Sequence, residues 1–69
     1  MKIIRRKNIR RILNTTAGDS MVVVKSRKHG FIWAGKAKFV FTNFRNEFFK
    51  VFPEEVNRDS TGALVITLI

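Results

Sequence analysis

The sequence contains no cysteine, and this absence excludes several classes of protein. Without thiols the chain cannot be a disulfide scaffold, a thiolate zinc protein or a thiol enzyme. It also has only one histidine and five acidic residues, whereas metal sites usually need three or four clustered ligands. We therefore predict no metal, no cofactor and no enzymatic activity. RNA cleavage by Arg and Lys alone, as in some small bacterial toxins, is the catalytic alternative.

Long apolar runs are missing as well. The N-terminal stretch is basic but lacks the run of about 7–15 apolar residues that a secretory signal requires. The most apolar terminal run, residues 63–69, is much shorter than the roughly 20 residues of a membrane-spanning helix. We expect a cytoplasmic protein without a membrane span.

The length of 69 residues predicts a single domain, residues 1–69, near the lower size limit for a core without disulfides or metals. Seven Phe, one Trp and many Val, Ile and Leu residues supply that core. Each large side chain that becomes fully buried contributes about 1.5–3 kcal/mol. Apolar burial is therefore expected to stabilise the fold.

Positive charge is distributed unevenly along the chain. Residues 1–46 contain twelve Lys and Arg against one acidic residue, a net charge of +11, whereas residues 47–69 have a net charge of −2. Such asymmetry produces a directed field. It predicts a polyanionic partner.

The N-terminal residues 1–14 are predicted to form a basic amphipathic helix, because Ile9, Ile12 and Leu13 recur at helical spacing among cations. A short strand or a mobile arm over residues 2–6 is the alternative. The cations of this segment are Lys2, Arg5, Arg6, Lys7, Arg10 and Arg11.

Residues 20–69 are predicted to form the β core. Residues 21–25 and 31–42 alternate or are β-branched and flank a turn at residues 26–30, which predicts a hairpin. In its second arm Phe31, Trp33, Gly35, Ala37, Phe39 and Phe41 would share one face. Gly35 indicates a bulge or bend, so that this arm could be two strands.

The pattern changes after Asn43, because Phe44, Phe48 and Phe52 recur at helical spacing. This spacing favours a short helix near residues 43–52, and a strand over residues 47–52 is the alternative. Residues 53–56 could form a helical turn after Pro53. A turn at residues 59–62 and a strand over residues 63–69 complete the chain.

These elements predict a mainly β, small α+β fold. Its core would be a compact antiparallel sheet or an SH3-like barrel of four or five strands, with the basic N-terminal segment and one short helix.

Two short motifs bear on this prediction. Gly18-Asp19-Ser20-Met21 matches the nucleophile motif of self-cleaving repressors and signal peptidases, but the glycine-rich strand of those families is missing, so we interpret it as a turn before a strand. The spacing from Gly18-Asp19 to Gly30, with Met21 and Val23 between, resembles the KOW-type element of SH3-like barrels in ribosomal and transcription-elongation proteins. The resemblance implies a barrel that contacts RNA through basic loops. It departs from the family pattern at Ser26, where a turn glycine is usual.

Basic and aromatic residues interleave over residues 27–38, a composition typical of surfaces that hold single-stranded nucleic acid. The alternative is that Phe31, Phe39 and Phe41 are core residues. For Trp33 the sequence does not distinguish a nucleic-acid contact from a core position. The predicted nucleic-acid-binding residues are Arg5, Arg6, Lys7, Arg10, Arg11, Lys25, Arg27, Lys28, His29, Trp33, Lys36 and Lys38.

We therefore expect a non-enzymatic nucleic-acid-binding protein of a phage, plasmid or small accessory regulator type. The N-terminal cluster would contact phosphates, and the hairpin would combine charge with stacking. The alternative is a small phage- or plasmid-type inhibitor that binds an acidic surface of a host protein complex. The sequence leaves open DNA versus RNA, and whether the chain forms a homodimer.

Overall fold

The computed structural model describes residues 7–69. Four strands form one sheet: β1 (Met21–Ser26), β2 (Gly30–Lys36), β3 (Glu55–Arg58) and β4 (Leu64–Leu68). Three short helices accompany it: α1 (Ile9–Asn14), α2 (Ala37–Asn43) and α3 (Asn46–Phe49). The predicted class, a small and mainly β α+β fold, is confirmed.

The strand order in the sheet is β2-β1-β4-β3. β1 pairs antiparallel with β2, and β3 pairs antiparallel with β4, but the central pair β1–β4 is parallel. The sheet is therefore mixed rather than wholly antiparallel. It is also open, since β2 and β3 lie at opposite edges, so the described residues do not close into the SH3-like barrel that was one of the two predicted forms.

All three helices pack on one face of the sheet. Ile9 and Leu13 from α1, Ala37 and Val40 from α2 and Phe49 from α3 belong to one buried cluster. The strands contribute Val22, Val24, Leu64 and Ile66 to the same cluster. The core thus lies between a helical layer and one sheet face.

Helix α1 begins and ends with side-chain capping. The Asn8 side chain accepts a hydrogen bond from the Arg11 amide at 3.0 Å, as an N-cap residue does. At the other end the hydroxyl groups of Thr15 and Thr16 donate to the Ile12 carbonyl at 2.9 and 2.8 Å. The helix occupies the described part of the predicted basic segment, and residues 2–6 lie outside the described residues.

The second hairpin arm is shorter than predicted, because the strand ends at Lys36 and α2 follows. The first amides of α2 donate to the loop that precedes β1, Ala37 to the Ser20 carbonyl at 2.8 Å and Lys38 to the Gly18 carbonyl at 3.0 Å. Ala37 and Val40 are buried at helical spacing. The alternation that predicted a strand over residues 31–42 is therefore wrong beyond residue 36.

The region after α2 corrects three further details. The helix near residues 43–52 is only α3, and the alternative strand over residues 47–52 does not form. Phe44 and Phe48 stack at 4.0 Å, whereas Phe52 is exposed. The helical turn predicted for residues 53–56 does not form, since residues 53–54 are not helical and β3 begins at Glu55 and pairs with β4. The turn at residues 59–62 is present, with the Gly62 amide donating to the Asp59 carbonyl at 3.0 Å.

Candidate nucleic-acid interface

The sheet face opposite the helices is uncovered in the described part of the chain, and strand pairing determines which side chains it presents. Residues opposite one another in paired strands share a face. One row of this open face contains Phe31, Lys25, Thr67 and Glu55, of which Thr67 is buried between its neighbours. The next row contains Ala34, Val23, Val65 and Asn57. A further pair, Lys36 and Met21, lies beyond them.

Phe31 is the most prominent residue of this open face, with 69% of its surface exposed. Met21 and Ile32 are also large and apolar, and they are 50% and 41% exposed. Isolated exposed apolar residues are common, but Phe31 and Met21 share one uncovered sheet face and Ile32 is next to Phe31 in the chain, so together they offer a surface that a planar apolar ligand can contact. The cations of the open face are Lys25 of β1 and Lys36 of β2.

A β-bulge is responsible for the exposure of Phe31. The pairing is Val24 with Trp33 but Lys25 with Phe31, so Ile32 is the extra residue of β2. One inserted residue moves the side chains before it to the other face, because side chains alternate with period two. The predicted common face for Phe31 and Trp33 is therefore wrong, and the bulge lies at Ile32 rather than at Gly35.

Trp33 packs on the helical side of the sheet. Its ring meets Phe44 edge to face, with centroids 5.8 Å apart, and the residue is half-buried. A Cβ atom at Gly35 would lie 2.8 Å from two indole carbons, so the glycine makes room for the ring. The structure does not bring Trp33 together with the open-face lysines. Phe31, which had been weighed as a core residue, is there instead.

The hairpin turn is organised by Ser26, whose hydroxyl oxygen accepts hydrogen bonds from the amides of Lys28 and His29 at 3.1 and 3.2 Å. The same hydroxyl donates to the Ile69 carbonyl at 3.1 Å. Gly30 adopts a φ of 77°, which favours glycine. This arrangement leaves Lys28 and His29 exposed at the end of the open face.

Arg27 differs from its neighbours, because two carboxylates already contact it. Its Nε lies 3.4 Å from Glu54 Oε2, and its Nη2 lies 3.3 Å from Glu55 Oε2. These exposed ion pairs are weak. The two carboxylates nevertheless offset the positive potential around Arg27, so this residue is a weaker candidate for phosphate contact than the sequence predicts.

Lys36 and Lys38 meet at Asp19, at the other end of β2. Asp19 Oδ1 lies 3.2 Å from Lys38 Nζ and 3.9 Å from Lys36 Nζ. The hydrogen bond from Lys38, together with the charges of both lysines, lowers the pKa of Asp19. One carboxylate oxygen between two ammonium groups is the arrangement that a phosphate oxygen would adopt.

A second group of cations lies on the helical layer, away from the open face. Lys7, Arg10 and Arg11 are exposed in or just before α1, and two cations that the sequence prediction missed, Arg45 and Lys50, are exposed at the two ends of α3. The Ile9 amide donates to the Val51 carbonyl at 3.0 Å, which brings the residue preceding Val51 close to α1. Arg5 and Arg6 lie outside the described residues. In the sequence, charge was the only sign that Arg45 and Lys50 could belong to a cationic surface. Their position depends on the packing of α3 against α1, which is a long-range contact.

A groove of about 630 Å³ lies between α1 and the edge strand β3. Its apolar lining includes Ile12, Val56 and Leu64, and its charged lining includes Lys7 and Arg58 together with Glu54 and Glu55. Charges of both signs make this groove a poor match for a polyanion.

Among residues 7–69, no group of three or more His, Asp or Glu side chains is placed to hold a metal ion. None of the helices described here has the length and apolarity needed to cross a membrane. Comparisons of the chain with protein-family models, curated proteins and solved structures find no match in any of the three.

Proposed function

We propose that this protein is a non-enzymatic nucleic-acid-binding protein that holds a single-stranded segment on the open face of its sheet. The observation that carries the proposal is the exposed Phe31 ring directly opposite Lys25 on an uncovered sheet. An aromatic ring stacks on a base while an adjacent cation contacts the phosphate. We also propose a cytoplasmic location, as expected from the sequence.

Single strands fit this surface better than duplexes. Bases in a duplex are stacked on one another and present only their edges in the grooves. The open face instead offers an exposed ring, apolar neighbours and cations at its margins, namely Lys25, Lys28, Lys36 and Lys38. Splayed-out bases can use such a surface, with each base–aromatic stack worth about 1–3 kcal/mol.

Asp19 would then act as an internal competitor. Phosphate binding at Lys36 and Lys38 exchanges an exposed carboxylate for a phosphate oxygen, and that exchange costs little because surface ion pairs are weak. Until a ligand binds, Asp19 would hold the ammonium groups of both lysines near the positions that phosphate binding requires.

A second candidate function is binding to an acidic surface of a host protein complex, with inhibition as the consequence. The observation that favours it is the exposure of two aromatic residues of α2, Phe39 and Phe41, beside Lys38. Aromatic residues are enriched at protein interfaces, and Lys38 supplies a positive charge that an acidic surface would meet. Pull-down from native lysate with and without nuclease distinguishes the candidates, because protein capture that survives nuclease favours this one.

The proposed function is tested by fluorescence anisotropy with a labelled single-stranded oligonucleotide. Phe31→Ala should weaken binding about 5- to 150-fold, the loss of one base stack. Phe52→Ala is the matched control, since Phe52 is 51% exposed but lies outside the sheet, between α3 and β3. Far-UV circular dichroism verifies folding of each variant. Equal affinities of the parent and Phe31→Ala, or no binding by the parent, would overturn the proposal.

A further inference from the structure

The helical layer bears its own cationic surface, formed by Lys7, Arg10, Arg11, Arg45 and Lys50. Ile9 and Leu13 point into the core from α1. At 100° per residue, Arg11 lies on the side of α1 opposite this buried stripe, and Arg10 lies beside it. Glu47 is the one acid within the described helices, and Glu54 and Glu55 line the groove beside Lys7, so the positive charge of this surface, which we call the helix surface, is concentrated away from that groove.

The helix surface and the open face are separated by the protein itself. Packed layers of secondary structure lie roughly 10 Å apart, and the side chains of both outer surfaces extend farther. The buried cluster of Val22, Val24 and Ile66 fills the space between them. A short extended segment of nucleic acid that lies on the open face therefore cannot contact Arg11 at the same time.

Acidic side chains interrupt the cationic surfaces at both ends of the sheet. Glu54 and Glu55 surround Arg27 near the hairpin turn, and Asp19 lies between Lys36 and Lys38 at the other end. Exposed cations therefore remain on two opposite sides of the protein, and Glu55 shares the open face with Lys25. A protein with this distribution can neutralise phosphates of two segments at once.

We propose that one molecule bridges two nucleic-acid segments, a single strand on the open face and a phosphate backbone on the helix surface, and that it thereby promotes annealing of complementary strands. This inference rests on the proposed function for the open face. Two complementary strands repel one another through their phosphates, and a bridging polycation lowers that repulsion. The open face would hold the bases of one strand unpaired and available to the complementary strand. The helix surface would contact only phosphates.

The experiment uses two charge-matched double variants. Arg10→Gln with Arg11→Gln removes two cations from the helix surface, and Lys25→Gln with Lys36→Gln removes two from the open face. All four side chains are exposed, so both variants should fold, and circular dichroism verifies this. Stoichiometry is measured by native mass spectrometry with an oligonucleotide too short to reach around the protein. Annealing is followed by energy transfer between complementary labelled strands.

The parent should bind two short oligonucleotides per chain and accelerate annealing. Each double variant should bind one oligonucleotide, at its unaltered site, and lose the acceleration. A parent that binds one oligonucleotide per chain, or a helix-surface variant that anneals as fast as the parent, would overturn bridging and leave the proposed function intact. Absence of any binding would instead contradict the proposed function.

Discussion

At the scale of single residues, the open face depends on one inserted residue. Ile32 is the extra residue of β2, and its presence moves Phe31 to the face that the helices leave uncovered. Trp33, two positions away from Phe31, stays on the helical side, where its ring covers Gly35. The same strand thus supplies an exposed aromatic to one face and a packed aromatic to the other.

The space beneath the indole ring gives a first stability prediction. Gly35→Ala should lower the free energy of unfolding by about 1–3 kcal/mol, as overpacking typically does, because the new methyl group would lie 2.8 Å from the ring. Gly18→Ala is the control, since its Cβ would meet Lys38 at an ordinary 3.5 Å. Chemical denaturation followed by Trp33 fluorescence measures both. Equal midpoints for the two variants would show that the ring does not need this space.

Asp59 gives a pH-dependent prediction. The Thr61 hydroxyl donates to its Oδ1 at 2.6 Å, and the amides of Thr61 and Ala63 donate at 2.9 and 3.0 Å. The Thr61 hydrogen bond is the main cause that lowers the pKa of Asp59. A carboxylate with a lowered folded-state pKa stabilises the fold above its ordinary pKa of about 3.9, and this contribution is lost as the pH falls through the lowered value.

Asp59→Asn should therefore be less stable than the parent at neutral pH, and the difference should shrink below about pH 3.9. Urea denaturation at a series of pH values measures this. Asp19 also has a lowered pKa, but it is present in both proteins and cancels in the comparison. A difference that stays constant down to pH 2 would contradict the assigned role of the Asp59 charge.

At the scale of elements, the helical layer is held by aromatic packing. Phe49 is 7% exposed, stacks on Phe41 at 5.3 Å and meets Phe48 edge to face at 5.5 Å. Phe48 is half-buried and stacks on Phe44. The four-residue α3 is too short to be stable by itself, so these contacts are what fix it against the sheet.

Phe49→Ala should cost about 3–5 kcal/mol, the usual loss for a buried aromatic, and that loss could unfold so small a domain. Phe48→Ala should cost less, because its side chain is already partly in solvent. Thermal and chemical denaturation of both variants tests the order. If Phe48→Ala were the more damaging change, the orientation of α3 described above would be wrong.

Local sequence signals predicted the elements that depend on local contacts. Gly30 and Gly62, both with positive φ, marked the two hairpin turns, and the run Val22-Val23-Val24 marked β1. The switch from strand to helix at Ala37 was not predictable from alternation, because Ala37 and Val40 fit a helix while neighbouring residues fit a strand. The parallel β1–β4 pair joins residues more than 40 positions apart, and no local pattern encodes that pairing.

The candidate site was predicted only in part for the same reason. Charge identified Lys25, Lys28 and Lys36 because exposed cations seldom need tertiary context to stay exposed. The assignment of Phe31 and Trp33 to opposite faces required the bulge, and the charge of Arg27 is offset by residues 27 and 28 positions later in the chain.

At the scale of the whole molecule, the charge asymmetry of the sequence becomes a two-sided arrangement. Glu54 and Glu55 of the C-terminal part lie against Arg27 at the hairpin turn, and exposed cations remain on the open face and on the helix surface. Under the proposed function, this arrangement would suit long or multiple polyanions better than a single compact anion.

The central claim, that single-stranded nucleic acid lies on the open face, is tested most directly by nuclear magnetic resonance of side-chain methyl groups during titration with a single-stranded oligonucleotide. β1 contains its own control, since Val23 faces the open side while Val22 and Val24 are buried against the helices. We predict that the methyl signals of Met21, Val23, Ile32 and Val65 and the ring signals of Phe31 shift with the ligand, while those of Val22, Val24 and Ile66 do not. Shifts confined to the helical layer, or equal shifts on both sides of β1, would contradict the claim.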